Sequence, residues 1–161
     1  MSKGGPAIPY DVSIELTVPA AGVDVQALHE LALRVMSGED VARGTGLGIL
    51  VTDDEEVRAM NLQFLGIDEP TDVLSFPDEA DDFIQGMADE PLLGDIAIAL
   101  PIAQRQAADA GHSINAELAH LLTHGILHLC GYDHVASPED EAAMRAREEH
   151  YLGELGRIHH H

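Results

Sequence analysis

A chain of 161 residues with 45% apolar side chains can bury one core of ordinary size, and no apolar run approaches the ~18 residues of a membrane helix. Twenty-nine acidic residues against eight basic ones give a formal charge of −21, which excludes a broad electrostatic footprint for nucleic acid. A local basic groove gathered from Arg58, Arg105, Arg145 and Arg147 remains compatible with that total. The single cysteine excludes an internal disulfide, and Met1 to Ala7 lacks the apolar centre of a secretion signal, so a cytoplasmic chain is expected. Neither DNA nor a membrane is expected as a partner.

From Ile8 to Val18 the apolar residues alternate, with Ile8, Tyr10, Val12, Ile14, Leu16 and Val18 on one face, so a first strand is expected, entered at an edge through Pro9. Asp24 caps a helix whose Val25, Leu28, Leu31, Ala32 and Val35 recur at helical spacing up to Ser37-Gly38. Leu47 to Val51 is a short apolar strand, and the acid-rich Thr52 to Glu56 opens a helix from about Asp54 to Phe64. Val73-Leu74-Ser75-Phe76 follows as a strand ended by Pro77, and the order strand, helix, strand predicts a crossover unit. The acid-rich stretch Asp78–Pro91 has no period and reads as a loop, either a solvated insertion or a lid over the site. Leu92 to Leu100 is a strand with one charge, Asp95, inside it. Pro101 starts a helix that Gly111 breaks, and Ser113 caps the next. Ser137-Pro138-Glu139-Asp140 opens a last helix to about Leu152. Residues 1–7 read as a flexible N-terminus, 8–152 as one domain and 153–161 as a tail; His159-His160-His161 resemble a purification-tag remnant and enter no metal argument.

The helix after Ser113 carries the chemistry. At ~100° per residue, Glu117, His120, His124 and His128 fall within a sector of roughly 80°, while Ile114, Leu118, Leu122, Ile126 and Leu129 lie elsewhere. His124 and His128, one turn apart, leave the same face close enough to share one metal ion. Gly131 offers a left-handed helix end through which the chain can bring His134 back toward them. Three imidazoles with a fourth position for water are the ligand set of a catalytic zinc. Read singly each histidine would be an ordinary core or surface residue; three in this frame point to a metal, which supplies the partner a buried imidazole needs. A structural zinc would want a fourth protein ligand, and Cys130 points roughly 140° away from the histidine pair, so it reads as a packed thiol. The frame H-x3-H-x2-G-x2-H is also that of the metzincin proteases, but Gly125 stands where their glutamate base follows the first histidine.

His124-Gly125-Ile126-Leu127-His128-Leu129-Cys130-Gly131-Tyr132-Asp133-His134 resembles the signature of the YbeY family of bacterial rRNA-maturation endoribonucleases, and Pro70 to Pro77 and Gly94-Asp95-Ile96 resemble its second and third motifs. The resemblance runs from about Ile8 to Leu152. It implies an α+β single domain, with a small mixed four-stranded sheet flanked by about five helices and a zincin-like metal site. It implies one Zn²⁺ on His124, His128 and His134, and single-strand-specific RNA cleavage in late rRNA (16S 3′-end) maturation and ribosome quality control. The partners it implies are single-stranded rRNA and the small ribosomal subunit. It also implies an important arginine on the helix before Thr71-Asp72-Val73, which maps onto Arg58 and would stabilise charge on the phosphoryl oxygens. Glu117, His120 and Asp133 are candidates for orienting the ligands from behind. Two readings compete: a zinc peptidase, which the missing glutamate opposes, and a ribosome-assembly factor whose zinc only secures the fold.

Overall fold

A computed structural model describes residues 10–19, 22–77, 92–131 and 138–159. The elements are β1 (Asp11–Leu16), α1 (Val25–Gly38), β2 (Gly46–Thr52), α2 (Asp54–Leu65), β3 (Val73–Pro77), β4 (Leu92–Ala99), α3 (Leu100–Ala110), α4 (Ile114–Leu129) and α5 (Pro138–His159). The four strands form one mixed sheet in the order β1-β2-β4-β3, with β1, β2 and β4 parallel and β3 antiparallel to β4. This is the expected α+β domain. Residues 1–9, the segment 78–91 and the segment 132–137, on which the expected Ser137 cap falls, lie outside the described residues.

Local chemistry sets the helix ends. Asp24, Asp53 and Ser113 each accept a backbone N–H three residues on, at 3.0, 2.8 and 3.1 Å, satisfying donors that an uncapped first turn leaves open. Gly66 and Gly111 end α2 and α3 in the left-handed conformation. The central strand β2 is buried on both faces, and its run Leu47-Gly48-Ile49-Leu50-Val51 is accordingly apolar throughout. The edge strand β1 alternates instead, with Val12 buried and Asp11, Ser13 and Glu15 exposed.

Register sorts the side chains into two cores. Ile14, Ile49, Ile96 and Ser75 are aligned across the sheet, as are Leu16, Val51, Ile98 and Val73. These rows face α1 and α4, whose Leu31, Val35, Leu118, Leu122 and Ile126 complete the larger core. Each of the fully buried leucines and isoleucines there contributes ~1.5–3 kcal/mol relative to exposure. On the other face Leu74, Ala97 and Ala99 meet Val57 of α2 in a smaller core.

Two expectations are corrected. The strand–helix–strand unit β2–α2–β3 is not a parallel crossover, because the chain folds back after Gly66 and enters β3 antiparallel to its neighbour. The Asn61 amide donates to Glu69 O at 2.8 Å and the Asp72 carbonyl accepts from Ala99 N at 2.9 Å, holding that return. The last helix continues through His159 instead of ending near Leu152.

α5 docks through its inward residues. Met144 and Tyr151 are buried, and the Tyr151 hydroxyl donates to Glu39 Oε2 at 2.5 Å, beside Arg147, whose Nη2 lies 2.7 Å from the same oxygen. Arg34 donates to the Tyr151 carbonyl at 2.9 Å. The approach to α1 is close enough that a Cβ on Gly38 would stand 2.7 Å from the tyrosine ring. Burial and the Glu39 carboxylate push the Tyr151 phenol up to about 12, with Arg147 partly opposing them. A folded-state value raised above the unfolded one means that the contact's contribution is complete below about pH 10 and is lost as pH rises toward 12. Melting temperature should therefore fall more steeply from pH 10 to 12 in the native chain than in Tyr151→Phe; parallel curves would remove this phenol from the docking contact.

Candidate metal centre

The histidine line lies on α4 as the period predicts. Leu118, Leu122, Ile126 and Leu127 are fully buried, whereas His120 and His128 are exposed and His124 is partly so. The helix lies close on the sheet at Gly125. An ideal Cβ there would meet Ile96 Cδ1 at 3.0 Å and Ser75 Oγ at 3.1 Å, and the Ser75 hydroxyl donates to the Gly125 carbonyl at 3.3 Å.

His124 is held from α5. Its Nδ1 lies 2.8 Å from Glu148 Oε2, and Glu148 Oε1 lies 3.8 Å from His120 Nε2, a charge contact and not a hydrogen bond. The Glu148 side chain is 16% exposed. Burial opposes its ionisation, but the two imidazoles outweigh it and bring the carboxyl down to about 2. Glu148 raises His120 in turn, with Glu117 and Asp72 adding to the effect. An ionised carboxylate only accepts, so Nδ1 of His124 carries the proton and Nε2 is the nitrogen through which this ring would hold a metal. The donor set fits a divalent ion: two imidazoles one turn apart, one with its tautomer fixed from behind.

The other candidates are distributed differently. Glu117 is buried and lies 2.5 Å from His112 Nε2, at the turn before α4, so its closest partner is His112 and not His120. Arg58 is half-exposed on α2, where Asp68 accepts from its Nε and Nη2 at 2.7 and 3.2 Å and raises its pKa. Val57 of α2 packs on the sheet face opposite the one that α4 covers, and the contact that the structure shows for Arg58 is the one with Asp68. Among the described residues, the arginines from which the sequence allowed a basic groove, Arg58, Arg105, Arg145 and Arg147, each face a carboxylate, of Asp68, Asp54, Glu141 and Glu39 respectively. Cys130 is half-buried against the core, and desolvation raises its thiol to about 11, which fits a packed thiol. His134 and Asp133 lie outside the described residues, and among the described residues no three His, Cys, Asp or Glu side chains are placed to hold an ion together. A cavity of about 510 Å³ opens between α1, α4 and α5, near Arg34, Asn115 and His150, and neither His124 nor His128 lines it.

Sequence reasoning missed Glu148, 24 residues from its partner. A signal was present: in a helix otherwise rich in exposed charge it stands between Met144 and Tyr151 at the inward positions, where an apolar residue would be expected.

Fold and site together define an α+β domain that presents a histidine pair and a buried carboxylate from helices packed on a mixed sheet. A family model described as endoribonuclease YbeY matches residues 15–156, and the chain belongs to that family. Endoribonuclease YbeY of Roseiflexus castenholzii is 47% identical over 85% of this chain and 87% of that protein. The Chloroflexus aurantiacus protein of the same name is 40% identical over 91% and 96%. The solution structure of TM1509 from Thermotoga maritima matches with a TM-score of 0.58 and 26% identity, covering 91% of this chain and 93% of that one.

Adding a methyl group where α4 meets the sheet should be felt at once. Gly125→Ala is expected to lower unfolding stability by about 1–3 kcal/mol through overpacking, read from urea denaturation; an unchanged midpoint would show that the helix can lift without cost.

Proposed function

We propose that this chain is a zinc-dependent, single-strand-specific endoribonuclease that acts in the cytoplasm on rRNA of the small ribosomal subunit, late in 16S 3′-end maturation and in ribosome quality control. Membership of the endoribonuclease family supports the reaction class. The observation that supports the metal assignment is the Glu148 contact to His124 Nδ1, which makes Nε2 the ring nitrogen that would hold an ion. His124 and His128 hold the ion with His134 as third ligand, and Asp133 stands beside it in sequence.

A divalent ion bound there supplies a Lewis acid for a phosphoryl oxygen and acidifies water toward neutral pH. The chain supplies the rest. His124 and His128 fix where the scissile phosphate can sit. Glu148 keeps a proton on Nδ1, and the leucines and Ile126 behind the rings keep bulk water from the back of the site. Arg58 is the cation proposed to stabilise charge on the phosphoryl oxygens: Asp68 accepts two of its five N–H donors in an exposed pair, which a phosphate can share. The peptidase alternative lacks its base, since a glycine that packs closely on Ile96 and Ser75 stands at position 125. No helix among the described residues is long and apolar enough to cross a membrane, in keeping with a cytoplasmic role.

With a single-stranded rRNA fragment and one equivalent of Zn²⁺, His124→Ala, His128→Ala and His134→Ala should each lower cleavage by about 10³-fold, equivalent to ~4 kcal/mol of barrier. Chelation should do the same, and zinc should restore activity. Arg58→Ala should lower cleavage by about 10²-fold with the fold intact. Undiminished cleavage in the histidine variants would end the metal mechanism, and a native rate in Arg58→Ala would remove that residue from the reaction. Intact folding without cleavage of any RNA would favour the assembly-factor reading.

A further inference from the structure

We infer that Glu148 is a positioning residue for the metal centre: from α5 it fixes the tautomer and ring plane of His124 and so sets the affinity of the site for its ion. The inference rests on the reading that His124 is a ligand. Two independent features of the fold support it. The first is the contact itself, 2.8 Å from Oε2 to Nδ1, made by a side chain only 16% exposed. The second is how the carboxylate is held. On either side of it in sequence, Arg147 and Tyr151 converge on Glu39 at the end of α1, and Met144 is buried one turn earlier. A carboxylate on a helix pinned at neighbouring positions loses little further freedom when it engages the ring.

The chemistry follows from what each group can do. Imidazole in water exchanges its single proton between two nitrogens, and only one tautomer presents Nε2 as a ligand. A buried anion at Nδ1 selects that tautomer before the ion arrives and makes the ring a better donor once it has bound. Oε1 faces His120 at 3.8 Å, so the same carboxylate carries charge along the histidine line but makes its hydrogen bond to His124.

The test compares native chain, Glu148→Ala and Glu148→Gln, whose amide oxygen can still accept from Nδ1. Zn²⁺ and Co²⁺ affinities are measured by competition with a chromophoric chelator, and the His124 tautomer is read in the metal-free protein by long-range ¹⁵N–¹H correlation. Glu148→Ala should bind both ions ~10–100-fold more weakly and move the proton toward Nε2. Glu148→Gln should recover the Nδ1–H tautomer and part of the affinity. Should Glu148→Ala fail to fold, the glutamine variant decides: native affinity in it, with the ring unchanged, overturns a role for the charge. Native affinity and tautomer in a folded Glu148→Ala overturn the inference outright while leaving His124 a ligand. A native chain that binds neither ion overturns the underlying metal reading instead.

Discussion

The absence of a side chain at position 125 is the constraint on which the site depends. Where α4 crosses β3 and β4, Ile96 and Ser75 approach so closely that a Cβ would have to displace them by a few tenths of an ångström, and the Gly125 carbonyl accepts from the Ser75 hydroxyl. That contact fixes both the height of the helix above the sheet and its rotation. With Gly125 turned to the sheet, His124 and His128 stand roughly 60–100° round the helix from it, on one flank. They are neither buried under the helix nor pointed straight out to solvent. Interiors are packed too densely to let such a helix roll by a fraction of a turn without opening voids, so the geometry of the imidazole pair follows from the packing beneath it.

The same contact separates this site from a protease that shares its histidine spacing. In the protease frame, a glutamate beside the first histidine works from the helix itself. Here that position is spent on close packing, and the carboxylate near His124 arrives from another helix, at the opposite nitrogen of the ring. A carboxylate at Nδ1 orients a ligand; one placed to take a proton from water would have to stand on the metal side. The electrostatics point the same way. Every arginine that sequence suggested for an RNA groove is already faced by a carboxylate, so the protein offers little long-range attraction to a phosphate backbone.

Elements whose residues repeat at a fixed period were legible in the sequence, because period is what burial on one face imposes. The alternation of Val12, Ile14 and Leu16, the helical spacing from Leu28 to Val35 and the caps Asp24 and Ser113 all reappear in the structure at the positions expected. What could not be read depends on contacts between residues far apart or on chain reversals that have no period. The return after Gly66 rests on Asn61 reaching Glu69 O, which converts an apparent crossover into an antiparallel pairing. Glu117 lines up with the histidines on a helical wheel, yet its partner His112 lies in the preceding turn, outside the wheel altogether. Arg58 stands on α2 as expected, but its ion pair with Asp68, across the return at Gly66, has no period to announce it.

The polar cluster at the end of α1 explains why a helix as charged as α5 is part of the domain core. Glu39 is almost completely buried, with Arg147 and the Tyr151 hydroxyl sharing one of its oxygens. A buried ion pair of this kind adds little net stability, because desolvating the charges offsets most of their attraction. An apolar contact of similar volume would hold α5 to α1 as firmly, but it would tolerate a helix that slid or rotated. Directional bonds to one carboxylate, the bond from Arg34 to the Tyr151 carbonyl and the bare face of Gly38 under the ring admit one register only. Residue 148 lies between the two anchors, so the register that satisfies Glu39 is the register that brings a carboxylate to His124. Docking of the last helix and orientation of the His124 ring are a single constraint, met by adjacent residues of one turn.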